Sequence, residues 1–381
     1  MGIDLLKIKK ESLGFLFFLM IYPLDFISYM ISSNWGLEIP IGFVGSLISI
    51  FIFLFFYFFI SSKRNLIIYI FVCVFAVFMG YLMWISNNAN LLDYFYLLKI
   101  SGAFCCGILF FSFLRKTDAK KIKNIILFFW ILMFLLIFNF DLGENYLRLS
   151  DAFALVCLLY ISMLDKIKYQ VLFLILSVMG LYFLESRAGL LLFLLSVVPL
   201  IFLKNNFLKF SLVLSPIVLL AYYYILRLNE SILNYNDNRF LRLIFSTDSD
   251  TSLNERKYLN EMGWETFLSN KFVGDFGYYK YSLGEGSYAH NYISFLAEFG
   301  VLGLFILVAF LIFCLISLFK LYTSKTIFYF DYIVLSFILF GLFGVLFAKS
   351  FYWLYFFFCF GVIFSYYSSF RSNGNVRKVS L

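Results

Sequence analysis

"SYAHNYISFLAEFGVLGLFILVAFLIFCLISL", residues 287–318, sets a short polar segment directly ahead of a long apolar run. The polar segment holds the one histidine of the chain, His290. A helix over 290–318, rising about 1.5 Å per residue, is longer than the roughly 30 Å hydrocarbon core of a bilayer. Its only charge is Glu298. A surface helix of a soluble domain keeps a polar face, and this run has none. It reads as a membrane helix with a polar outer end.

The same pattern recurs along the chain. Of 381 residues 63% are hydrophobic, 23% aromatic and only 14% charged, with 55 Phe, 28 Tyr and 4 Pro. A soluble domain is about a quarter charged. The composition therefore predicts an all-α polytopic membrane protein, a single membrane domain over 1–381 with about twelve transmembrane helices. The apolar runs place them at 13–32, 41–60, 66–86, 94–114, 125–140, 151–164, 171–185, 188–203, 210–228, 290–318, 331–347 and 350–369. The basic opening "MGIDLLKIKKESLGFLFFLM" runs on into "IYPLDFISYM" without a small-residue cleavage site, so it is read as a retained first helix. All six cysteines fall in apolar runs, where thiols behave as small hydrophobes, so neither a disulfide nor a metal site is expected. No internal repeat appears.

Loop charge sets the expected orientation. Most of the 30 basic residues fall on one alternating set of loops, from Lys7, Lys9 and Lys10 through "RKTDAKKIK" at 115–123 to Arg377 and Lys378. The positive-inside rule makes that set, and both termini, cytoplasmic. The net charge of +8 is then a topology signal and does not call for nucleic acid. The remaining long polar segment, 227–289 between helices 9 and 10, becomes an outer lid. In it "TSLNERKYLNEMGWETFLSN" (251–270) reads as a helix, with Ser252 and Glu255 as a capping box. "KFVGDFGYYKYSLGEGS" (271–287) reads as turns.

Several cations lie where topology does not need them. Arg187 in "YFLESRAGLLLF" sits between two apolar runs; it is either a snorkelling side chain beside a tight hairpin or an anion ligand. Arg148 in "DLGENYLRLSDAFALV", on a short outer loop between Glu144 and Asp151, is either half of a local ion pair or a second phosphate ligand. Lys349 in "LFAKSFYW" could add to them, and Lys99 falls inside a helix. Guanidinium groups converging at an outer face suit a pyrophosphate, which they bind through a planar fork of donors. His290 at the membrane border is either structural or a base for a hydroxyl proton. Glu298 lies about two turns beyond it on a straight helix, too far for direct contact. Phosphate-loop, nucleophile-elbow and zinc-protease motifs are missing from the sequence.

Taken in order, Ser186–Arg187, Glu255–Arg256, His290–Asn291, Glu298, Gly300 and Gly303 resemble the motifs of the O-antigen ligase/polymerase superfamily of bacterial envelopes. "YLRLSDAF" resembles its arginine-bearing outer loop. The resemblance covers 148–303. It implies transfer of a glycan from undecaprenyl pyrophosphate at the periplasmic face of the inner membrane, with no cofactor and no metal. His290 is implied as the catalytic base. Arg187, Arg148 and Arg256 are implied as pyrophosphate ligands, with Asn291 and Glu298 in support. The implied partners are undecaprenyl-pyrophosphate-linked glycans, the membrane and a chain-length regulator protein. The modest outer loop and the wording of "YLRLSDAF" favour polymerase over ligase. A transporter or flippase is the alternative of another class, against which stands the lack of repeated halves.

Overall fold

In the computed structural model, residues 12–36, 41–59, 63–85, 91–139, 146–205, 251–284, 289, 291–323 and 329–376 are described. The expected helix over 210–228, the first part of the expected lid and His290 lie outside the described residues. Those described form helices and connecting turns, with no strand among them.

The first apolar run is two helices, α1 (Ser12–Ile21) and α2 (Pro23–Trp35), rather than one. Pro23 has no N–H to continue the helical ladder, so the chain breaks at Tyr22. α2 ends where Gly36, at φ 67°, returns its N–H to Ser32. Next come α3 (Ile41–Phe59), α4 (Lys63–Ile85), α5 (Leu91–Lys116), α6 (Ala119–Asn139), α7 (Tyr146–Ser162), α8 (Ile167–Phe183) and α9 (Arg187–Lys204). The polar segment supplies α10 (Thr251–Ser269) and a short α11 (Tyr278–Leu283). α12 (Ile293–Thr323), α13 (Tyr329–Phe347) and α14 (Leu354–Val376) complete the chain. Because α10 already runs at Thr251, Ser252 lies inside it and is not its N-cap, contrary to the capping-box reading.

By length and apolarity, six segments among the described residues can cross a membrane: Ser12–Trp35, Asp93–Lys116, Ala119–Asn139, Arg187–Lys204, Ile293–Thr323 and Tyr329–Phe347. Four shorter apolar helices accompany them. α5 is the central post, packed against α1, α3 and α14. Gly107 of α5 and Gly361 of α14 each face the other helix's backbone, leaving no room for a β-carbon. Such small residues allow the close backbone approach that drives helix association where no hydrophobic effect operates. α7 is buried nearly all round, while α3, α4 and α12 turn large side chains such as Val77, Trp84, Phe305 and Phe319 outward.

The sequence reading took 290–318 as one straight helix. The structure corrects this: the helix begins at Ile293 and is interrupted at Gly300, whose φ of 58° and ψ of −140° are non-helical. The chain turns back so tightly that Gly303 meets the carbonyl of Phe295, a contact a side chain would forbid. The cause is non-local. Residues 271–277 dock into the break, with the Val301 N–H donating to the Lys271 carbonyl (2.8 Å) and the Asp275 N–H to the Ala297 carbonyl (2.8 Å).

Candidate functional site

Two helix starts meet at the centre of the site. "YLRLSDAF" opens α7, so Arg148 stands in the first turn of a helix rather than on a loop. Arg187 is the first residue of α9, after a tight turn in which Glu185 takes φ 53°. Ser186 caps α9, its Oγ accepting from the Gly189 N–H at 3.2 Å. The buried hydroxyls of Ser186 and Ser150 lie 2.7 Å apart and tie the two starts together. Gly189 makes this possible, since a β-carbon there would stand 2.6 Å from Ser150 Oγ.

Of the two acids beside Arg148 in sequence, Glu144 lies outside the described residues and Asp151 does not serve it. Asp151 pairs instead with Lys349, at 2.5 Å, and both side chains are largely buried. Asp151 Oδ1 and the nearby Tyr22 hydroxyl are buried without a hydrogen-bond partner among the described residues. Arg148 reaches across to α2 and donates from Nη2 to Asp25 Oδ1 at 2.6 Å. Gly42, at the start of α3, leaves the space in which that pair forms. Lys99, partway along α5, stands in the field of both charges.

From Lys349 the chain leads to α12. The Phe351 N–H donates to Ser294 Oγ at 2.7 Å, and Ser294 Oγ donates to the Asn291 carbonyl at 2.9 Å. Asn291, at φ 76°, accepts the Ile293 N–H with its own side chain (2.9 Å), a local turn that starts the helix. His290 lies outside the described residues, between the placed Ala289 and Asn291. The straight-helix distance between His290 and Glu298 no longer applies, because no regular helix joins them.

Glu298 lies on the short first limb of α12 and is fully buried. Its Oε2 accepts the Gly277 N–H at 2.7 Å, while Oε1 has no hydrogen-bond partner among the described residues. It fastens the docked 271–277 segment to the break. Gly274, at φ 72°, lies so close to the Glu298 backbone that a β-carbon would stand 2.5 Å from its carbonyl carbon. Tyr352 faces the same carboxyl. Burial, and then the Glu298 charge, raise its hydroxyl well above the ordinary phenol range, so it remains a protonated donor.

Arg256 is half-buried on α10, about two turns before Gly263. Around Gly263, α10 meets Tyr279, Ile293 and Ala289, which seats the helix on the start of α12. Hydrogen bonds and the Asp151–Lys349 pair thus link the helix starts that carry Arg148 and Arg187 to Asn291, while Glu298 fastens the docked segment farther along α12. The sequence reading missed Asp25, Tyr352 and the coupling of Lys99 to Arg148. The available signal for Asp25 was an acid inside a run of membrane length, where an uncompensated charge is expensive.

Neither a curated protein nor a solved structure matches the chain. A family model described as O-Antigen ligase matches residues 172–308, from α8 through the α12 break. The matched range takes in Arg187, Arg256, His290, Asn291 and Glu298. Over residues 172–308 the chain is thus similar to the O-antigen ligase family, which supports the resemblance seen in the sequence.

Proposed function

We propose that this chain polymerises lipid-linked oligosaccharide repeat units, moving the growing glycan from undecaprenyl pyrophosphate onto the next lipid-linked unit at the periplasmic face of the inner membrane. The observation that carries this reading is that the helix starts bearing Arg148 and Arg187 are tied together by the Ser150 and Ser186 hydroxyls. In the step proposed, an acceptor sugar oxygen attacks the anomeric carbon and His290 takes the hydroxyl proton. The bond from that carbon to the pyrophosphate oxygen breaks, and its electron pair stays with the lipid pyrophosphate. Arg187, Arg148 and Arg256 stabilise the charge that develops there, so that neither metal nor nucleotide is needed. Asn291 and Glu298 hold the surrounding backbone. An almost wholly apolar groove of about 640 Å³ between α4, α5, α12 and α14, lined by Met79, Phe104, Ile306 and Phe360, supports a site for the polyprenyl chain.

In this reading twelve helices cross the membrane, both termini are cytoplasmic and 227–289 covers the outer face. A chain-length regulator is the proposed protein partner. The second reading is a ligase that moves finished polysaccharide onto lipid A-core, favoured by the description of the matching family. One experiment separates them. Purified protein receives lipid-linked repeat units, with or without lipid A-core, and products are resolved on gels. A ladder of lipid-linked chains without lipid A-core supports polymerase. Product only on lipid A-core supports ligase, and no consumption of donor overturns both.

A further inference from the structure

Three helices bring charge to one point, and a fourth leaves room for it there. Asp25 comes from α2, Lys99 from α5 and Arg148 from α7, while α3 contributes Gly42, where a β-carbon would lie 2.5 Å from Arg148 Nη2. Arg148 pairs with the carboxylate, and Lys99 stands in the field of both. Lys99 lies eight residues from the start of α5, about 12 Å along the helix, and is half-buried. It makes no hydrogen bond or ion pair with any described residue. A charge set that deep in a membrane helix is expensive, and residues so placed mark ligand sites by default. Arg148 uses one Nη2 donor on Asp25 while its side chain stays 60% exposed, so most of its five donors remain available.

We propose that Lys99 and Arg148 together bind one phosphate group of an anionic ligand, and that Asp25 is a resident counter-ion with which that phosphate competes. This rests on the reading of Arg148 as a pyrophosphate ligand and adds two residues to it. Asp25 orients the guanidinium and offsets part of the buried charge in the empty site. A phosphate oxygen that enters between Lys99 and Arg148 takes over that neutralisation. The two substitutions that probe this act in opposite directions. Removing the cation weakens phosphate binding, and removing the competing carboxylate strengthens it. A merely structural cluster would lose on both.

The test uses the full chain in lipid nanodiscs, with inorganic pyrophosphate and farnesyl pyrophosphate as separate probes, titrated by microscale thermophoresis. Lys99→Gln should weaken both probes about tenfold, and Lys99→Arg should hold both within about threefold of the parent. Asp25→Asn should tighten both. Parental affinity in Lys99→Gln overturns the proposal, as does weaker binding in Asp25→Asn. An Arg187→Gln arm separates the two levels. If it alone loses binding, the pyrophosphate reading stands and Lys99 drops out; if no variant changes binding, both fail. Co-purifying phosphatidylglycerol, measured by mass spectrometry, should be equal in Lys99→Gln and parent. Its loss with pyrophosphate affinity unchanged would assign the cations to bilayer headgroups and overturn the proposal.

Discussion

Replacing Lys349 by Met leaves Asp151 as a carboxylate with no cation, in a place where its side chain is only 15% exposed. Its Oδ1 is already without a hydrogen-bond partner among the described residues, and the Trp353 side chain, its other contact, is neutral and cannot replace the lost cation. Breaking a buried ion pair from one side costs about 3–5 kcal/mol, because a desolvated charge remains. Replacing both partners by apolar groups of similar volume removes the desolvation along with the attraction and is often nearly neutral. Lys349→Met should therefore lower stability by about 3 kcal/mol or more, Asp151→Leu by a similar amount, and the double variant by about 1 kcal/mol. The coupling is read from unfolding in mixed micelles with increasing denaturing detergent, followed by tryptophan fluorescence. Both residues belong to the framework that holds the α7 start against 349–351. The double variant, once stable, should thus form glycan chains near the parental level. Additive losses in the double variant would refute the buried-pair argument. A stable double variant without activity would give Lys349 a direct role at the substrate.

Three further outcomes follow from the site. Arg187→Lys keeps the charge and loses the planar fork, so chain formation should fall at least about tenfold with normal membrane insertion; parental rates in both Arg187→Lys and Arg187→Ala would leave Arg187 a snorkelling residue. His290→Ala and His290→Gln should each lose about 10²–10⁴ in rate, the range of general-base assistance, and near-parental synthesis by the Gln variant would remove the imidazole from the mechanism. Gly300→Ala places a side chain at φ 58° and 2.5 Å from the Lys271 carbonyl oxygen, so a loss of about 1–3 kcal/mol is expected; a melting temperature equal to the parent's would mean that the α12 break does not need glycine there.

What could be read from the sequence was whatever depends on neighbours along the chain. Apolar runs located the helices because burial in lipid is a property of consecutive residues, and the surplus arginines stood out because their cost is local. Partnership was not legible. Arg148 has Asp151 three residues on, yet among the described residues its partner is Asp25, 123 residues away. Lys349 read as a further contributor to an anion site and is half of a pair that closes over 198 residues. A helix signal says how long a segment is and not which face meets which neighbour, so each charge was weighed against the nearest opposite charge in sequence.

The break in α12 shows the same limit at the backbone. Glycines at 300 and 303 were visible, but apolar periodicity runs straight through them. What stops the helix is the carbonyl of Lys271 and the amide of Asp275, which arrive from the polar segment and take hydrogen bonds that a continuous helix would have kept for itself. Non-helical backbone at membrane depth is tolerated only where other protein groups satisfy it. Here the satisfying groups come from the segment expected to cover the site, and Glu298 seals the exchange through Gly277. The acid and the two glycines of the motif therefore have a common physical purpose: they let a loop replace one turn of a membrane helix. The segment that carries His290 is thus tied at its C-terminal side to the same helix that the loop has opened.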